Sequence, residues 1–183
     1  RDRLKALKPQ SAEMRTLLYL VEQRRRLVGD KTRFVNRLCS VLKQYFPQAL
    51  DWFEERDTTL FCDFLTRWPT LKQVKRARKA SLETFFHAHK LRFAKVIEAR
   101  ICAIKAAIPL TEDVAIITTH QLQALALVDQ LRVTLQAIER FDAATASIAP
   151  TLPDYALFGA LPGAGPTLAP RLLAAFGEQR ERF

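Results

Sequence analysis

The chain has 183 residues, 49% of them apolar and 26% charged, with five glycines, nine prolines and a formal net charge of +10. This balance excludes disordered and collagen-like chains, and the shortage of turn residues excludes an all-β fold of this size. At this length roughly 70% of the unfolded surface can be buried, so a core needs no disulfide or metal staple.

Cys39, Cys62 and Cys102 lie 23 and 40 residues apart with no C-x-x-C pair. That spacing argues against a disulfide scaffold or a cysteine zinc site and points to a reducing cytoplasm. No stretch reaches the roughly 18 apolar residues of a membrane span, and Arg1-Asp2-Arg3 opens no signal-peptide hydrophobic region, so no membrane partner is expected. The chain opens on Arg1 and stops at Glu181-Arg182-Phe183 without a terminating signal, which reads as a piece of a longer protein.

Charge is unevenly spread. Residues 1–110 carry 24 basic and 11 acidic residues, and residues 111–183 carry 5 and 8. A polyanion partner for the first part is one reading, and a merely soluble basic surface is the other.

Residues 11–46 read as one long helix with Ser11 as N-cap and Glu13 in the first turn. Apolar pairs recur every seven residues, and Val21, Val28, Val35, Leu38 and Leu42 form a coiled-coil-like stripe. Gly29-Asp30 interrupts the stripe as a candidate kink, and Pro47 ends the helix.

Short helices follow, capped in the sequence reading by Asp57, Thr70 and Ser81. Residues 91–108 give an amphipathic helix on Phe93, Ile97, Ile101, Ile104 and Ile108. Thr111-Glu112-Asp113 then starts a second long helix to about Ala149, with Val128, Leu131, Leu135 and Ile138 as its seam. Pairing of the two seams, within the chain or across a dimer, would bury both. Pro150 and Pro153 mark a boundary. The fold class is all-α, with long coiled-coil-like helices, a cluster of short helices and a C-terminal hairpin. The expected segments are 1–110, 111–149 and 150–183.

The stretch Leu157 to Gly177 contains Pro162-Gly163-Ala164-Gly165-Pro166-Thr167 and ends in Phe176-Gly177. This resembles a helix-hairpin-helix. Gly163 and Gly165 permit a tight turn around Ala164, and the amides that follow, through Thr167, open a helix N-terminus suited to a phosphate. Arg171 adds a charge, whereas Pro170 would disturb the second helix. The alternative is a plain turn with Leu161, Leu168, Leu172 and Phe176 as core. A second phosphate-binding candidate is Lys72, Lys75, Arg76, Arg78 and Lys79, for which a solvated face is the alternative.

Catalytic chemistry is not evident. His87 and His89 are two apart and point to different faces of a helix. Asp51, Glu54, Glu55 and Asp57 suit helix ends better than a metal. Ser11, Ser40, Ser81 and Ser147 have no neighbouring histidine. No catalytic or metal-binding residue is assigned.

Three blocks carry a family resemblance: Asn36-Arg37-Leu38 through Lys43-Gln44-Tyr45-Phe46-Pro47-Gln48-Ala49-Leu50, then Phe64 through Thr70, and Leu157 through Phe183. They resemble bacterial insertion-sequence transposases of the DEDD type, the guide-RNA-directed recombinases related to Piv-type invertases. The resemblance implies a parent with a RuvC-like nuclease part, a helical middle and a serine-bearing transposase domain that opens near residue 150. It implies DNA and guide RNA as partners and a homodimer or higher oligomer. The divalent metal, magnesium, would be held at residues not present in this chain. The competing readings are a stand-alone helix-hairpin-helix module and a helical oligomerisation piece.

Overall fold

The first heptad stripe folds as one uninterrupted helix. In a computed structural model that describes residues 9–178, α1 spans Ala12–Tyr45. Gly29 does not break it, because one glycine costs about 1 kcal/mol in a helix, less than burial of the flanking apolar stripe returns. Residues 1–8 and 179–183, with the start Arg1-Asp2-Arg3 and the tail of the third family block, lie outside the described residues.

The remaining helices are α2 (Gln48–Trp52), α3 (Thr59–Arg67), α4 (Leu71–Arg76), α5 (Lys79–Ala88), α6 (Ala94–Ala106), α7 (Val114–Ile148), α8 (Tyr155–Gly159) and α9 (Gly165–Phe176). A 3-10 turn covers Ala149–Thr151, and the described residues contain no strand. The fold is all-α. No described helix is long and apolar enough to cross a membrane.

Packing divides the chain into two units. One is Asp30–Leu135, and the other joins the residues up to Gly29 with those from Gln136 onward. Segments drawn from charge and prolines mark changes of composition. The packing units have other limits because both long helices contribute to both of them.

In the unit Asp30–Leu135, Leu38, Leu42 and Phe46 share one buried cluster with Ala124, Leu127, Val128 and Leu131, and Val35 and Leu135 pack on its edge. The cluster is centred on aromatic rings, with Phe53 and Phe64 centroids 4.7 Å apart. The Arg100 guanidinium lies 4.7 Å from the Phe53 ring centroid and 5.3 Å from that of Phe86, and burial lowers its pKa from the usual arginine value.

Three local expectations change here. Thr58, not Asp57, caps α3, accepting from the Phe61 amide, while Asp57 pairs with Lys31 at 2.6 Å. Ser81 lies inside α5, whose N-cap Arg78 makes no side-chain capping bond. On α6 the buried face is Ile97, Ile101 and Ile104. Phe93 and Ile108 fall outside the helix and are 74% and 78% exposed, because α6 is shorter than the apolar pattern. Thr70 caps α4 as expected, and Asp113 caps α7 by accepting from the Ala115 and Ile116 amides.

In the other unit, Met14 and Leu17 pack with Ala149, Leu152, Phe158, Ala164, Ala169 and Leu173, and Val21 lies against this cluster. Ile138 is also buried, whereas Val28 is half-buried. Arg24 forms a two-pronged ion pair with Asp142. Helix α9 continues through Pro170, whose ring is buried; the missing N–H leaves only the exposed Pro166 carbonyl without its helical donor. Of the four residues proposed as the core of a plain turn, Leu172 packs on this cluster, whereas Leu161, Leu168 and Phe176 are exposed, Phe176 with its ring stacked 5.5 Å from that of Phe158. The small residues Ala164, Ala169 and Ala174 take that place with Leu173.

Candidate functional site

Helix α4 is short and sorted by its capping and burial. The Thr70 hydroxyl accepts from the Gln73 amide, and Leu71 and Val74 turn inward, so Lys72 and Arg76 emerge on the outer face one turn apart. Neither has a carboxylate partner among the described residues, and Arg78 has none either. Lys75 behaves differently: its ammonium donates to the Ala107 carbonyl at 2.6 Å. Lys105 returns the tie, donating at 2.6 Å to the carbonyls of both Lys75 and Ala77, where cations favour the helix C-terminus. Lys79 begins α5 and lies 3.8 Å from Glu83 and 3.9 Å from Glu98. The basic run is therefore split between free cations and structural ties.

Lys72, Lys75 and Arg76 line one wall of a cleft of about 870 Å³. The facing wall comes from the connection after α6 and the first turns of α7: Pro109, Thr111, Glu112, Val114, Ile117 and Gln121. Tyr45 adds its ring from α1; its hydroxyl donates to the Pro69 carbonyl at 3.0 Å, and burial pushes its pKa well above the normal range. The whole cleft belongs to the unit Asp30–Leu135, which holds 17 basic and 11 acidic residues.

The hairpin lies in the other unit. Gly163 and Gly165 have φ of +78° and +50°, and an added Cβ at either would meet nothing within 4 Å. Conformation, not space, demands glycine there. Ala164 is buried, and its amide donates to the Leu161 carbonyl. Thr167 and Arg171 are exposed one turn apart on α9. Pro166 contributes no N–H and the Leu168 amide is held by the Ala164 carbonyl, so Gly165 and Thr167 supply the outward amides of the first turn.

The residues weighed for catalysis are dispersed. His87 Nδ1 lies 3.2 Å from the Leu91 carbonyl, whereas His89 Nε2 lies 3.4 Å from Asp63. Ser11 caps α1. The Ser40 and Ser147 hydroxyls donate to carbonyls of their own helices. Burial pushes the Cys62 thiol up to about 11, which holds it protonated at neutral pH. Among the described residues no three His, Cys, Asp or Glu side chains gather as a metal site.

Two arrangements were not visible in the sequence. One is the network in which Asp63 meets both Arg132 and His89, while Arg132 also donates to the Thr66 hydroxyl. The other is the α7 wall of the cleft. The partners lie on elements far apart in the chain, and no local spacing signals them.

No family model matches the chain, and no solved structure matches it. Among curated proteins, it is 29% identical over 169 residues to the "Mini-circle putative transposase for IS117" of Streptomyces coelicolor. The match takes in 85% of this chain and 39% of that protein, so the chain spans well under half of the relative's length. With the all-α units described, this likeness relates the chain to a transposase.

Proposed function

We propose that the chain is the nucleic-acid-binding portion of a protein of DNA transposition or site-specific recombination. The observation that carries this reading is the pair Lys72 and Arg76, two exposed cations at a cleft with no carboxylate partner among the described residues, in a chain related to a transposase. Unpaired cations gathered at a cleft favour a polyanion, whose counterions they release on binding. The hairpin supplies a second grip through the amides of Gly165 and Thr167 and the Arg171 guanidinium, contacts that hold a backbone phosphate and read no base.

The three sequence blocks support a finer reading, that of a DEDD-type, guide-RNA-directed recombinase related to Piv-type invertases. On it DNA and guide RNA are the partners. Strand cleavage and its magnesium belong to parts of a longer protein outside this chain. Self-association into a homodimer is part of the same reading. Because Leu38, Leu42, Val128 and Leu131 are buried in the chain's own core, association would use exposed α7 positions such as Leu122 and Val133.

The test is binding of the chain to a random-sequence duplex and a structured RNA across a salt series. Binding that falls steeply with salt supports the reading, and no salt-sensitive binding to either polymer removes it. Gly163→Val with Gly165→Val, with the fold intact by circular dichroism, is expected to weaken binding. Unchanged affinity would take the hairpin out of the interface.

A further inference from the structure

We infer that the cleft between α4 and the start of α7 seats one unpaired nucleotide, its phosphate on Lys72 and Arg76 and its base against Pro109, Val114 and Ile117. The inference rests on the nucleic-acid-binding reading and adds what kind of strand the cleft accepts.

Shape is the first support. About 870 Å³ is the size of a small-molecule recess. A stacked duplex meets proteins through its phosphates and groove edges and cannot place a base inside such a recess, whereas an unpaired or extruded base can enter it.

The walls give the second support, because they differ in kind. On the α4 side the cations Lys72 and Arg76 stand a turn apart, with no carboxylate partner among the described residues. On the α7 side Pro109, Val114 and Ile117 offer an apolar surface, and Val114 is 73% exposed although it belongs to a helix. A nucleotide has the same division, with a charged phosphate at one end and an apolar-faced base at the other.

Glu112 is the third. It is the one carboxylate among the residues lining the cleft, and it lies on the apolar wall. A carboxylate repels a phosphate but accepts a hydrogen bond from the exocyclic amine of a base. Gln73 accepts from the Thr70 hydroxyl at 3.1 Å through its amide oxygen, which leaves its NH₂ as a donor on the cation wall.

The experiment compares a perfect hairpin duplex with the same duplex carrying one extrahelical nucleotide, each made as DNA and as RNA. The wild-type chain is expected to bind the bulged form about tenfold more tightly, a difference of about 1.4 kcal/mol. Val114→Trp fills the recess from an exposed position and is expected to abolish that preference, so that the bulged and perfect forms bind it equally. A 2-aminopurine placed as the extrahelical base gives an independent readout on the unmodified chain, with its fluorescence expected to change on binding. A preference in both polymers, or in only one, supports the seat and identifies the strand it takes. Equal, salt-sensitive affinity for bulged and perfect forms, or a preference retained by folded Val114→Trp, would overturn the seat and leave the proposed function standing. No salt-sensitive binding to any probe would overturn both.

Discussion

The carboxylate of Glu178 accepts from both the amide and the hydroxyl of Ser11, joining residues 167 positions apart. The Ser11 hydroxyl in turn accepts from the Met14 amide at 3.1 Å, so one serine caps α1 and tethers the segment after α9 to its start. Gly177 makes the approach possible. Its φ is +66°, and a Cβ there would lie 2.5 Å from the Gln10 side chain. Ser11→Ala is expected to cost about 1 kcal/mol, the usual worth of an N-cap, measured by urea unfolding.

The same contact has a pH signature. The Ser11 bonds hold the Glu178 carboxyl below its ordinary value of 4.5, and Lys31 holds that of Asp57 below its ordinary 3.8. Each folded pKa is depressed, so the stabilisation is complete above the unfolded pKa and is lost as pH falls through the folded one. Stability is expected to decline with acid from near pH 4.5 downward. Glu178→Gln should make that decline shallower in urea titrations at successive pH values. An unchanged slope would show that the carboxylate contributes nothing.

Lys90 offers a stabilising substitution. It has φ of +62° just after α5, while the Leu91 amide reaches back to the Phe86 carbonyl at 3.1 Å. That closing geometry favours glycine at the left-handed position. Lys90→Gly is expected to stabilise the chain by about 1 kcal/mol and raise Tm by about 2–4 °C in a thermal melt.

Asp63 and Arg132 join α3 to α7 while both remain about one-third exposed. Asp63 raises the Arg132 pKa through its hydrogen bond. Because solvent screens the pair, a double-mutant cycle with Asp63→Asn and Arg132→Gln is expected to give a coupling of about 1 kcal/mol or less. A coupling of several kcal/mol would mean the pair is effectively desolvated.

The helical architecture was legible because period and punctuation are local. Pro47 closes α1, Thr70 caps α4, and the Thr111–Asp113 group opens α7. Errors arose where tertiary packing outweighs local pattern. Phe93 and Ile108 continue the apolar period of α6 but lie beyond its ends. In the hairpin, alanines rather than leucines supply much of the core, since close helix approach selects small residues. At the candidate site the cations of α4 could be found as a run. Their sorting could not, because the Ala107 carbonyl that occupies Lys75 comes from the far end of α6.

The seams of α1 and α7 give a further check. Leu131 is fully buried beside Leu38 and Leu42 within one unit, whereas Val133 is exposed. Leu131→Ala is expected to cost about 2–5 kcal/mol and Val133→Ala under about 0.5 kcal/mol. The Leu131→Ala loss should not depend on protein concentration. A concentration-dependent loss would assign this seam to a contact between copies.

The most direct measurement is the salt dependence of nucleic-acid affinity for the parent chain and for Lys72→Gln with Arg76→Gln. Each phosphate contact contributes about 0.9 to the slope of log affinity against log salt, so the double substitution is expected to flatten that slope by nearly 2. Stability should stay unchanged, because neither side chain has a polar partner among the described residues to lose. A parent chain with no salt-dependent binding, or a variant with an unchanged slope, would contradict the assignment of this cleft to a nucleic-acid backbone.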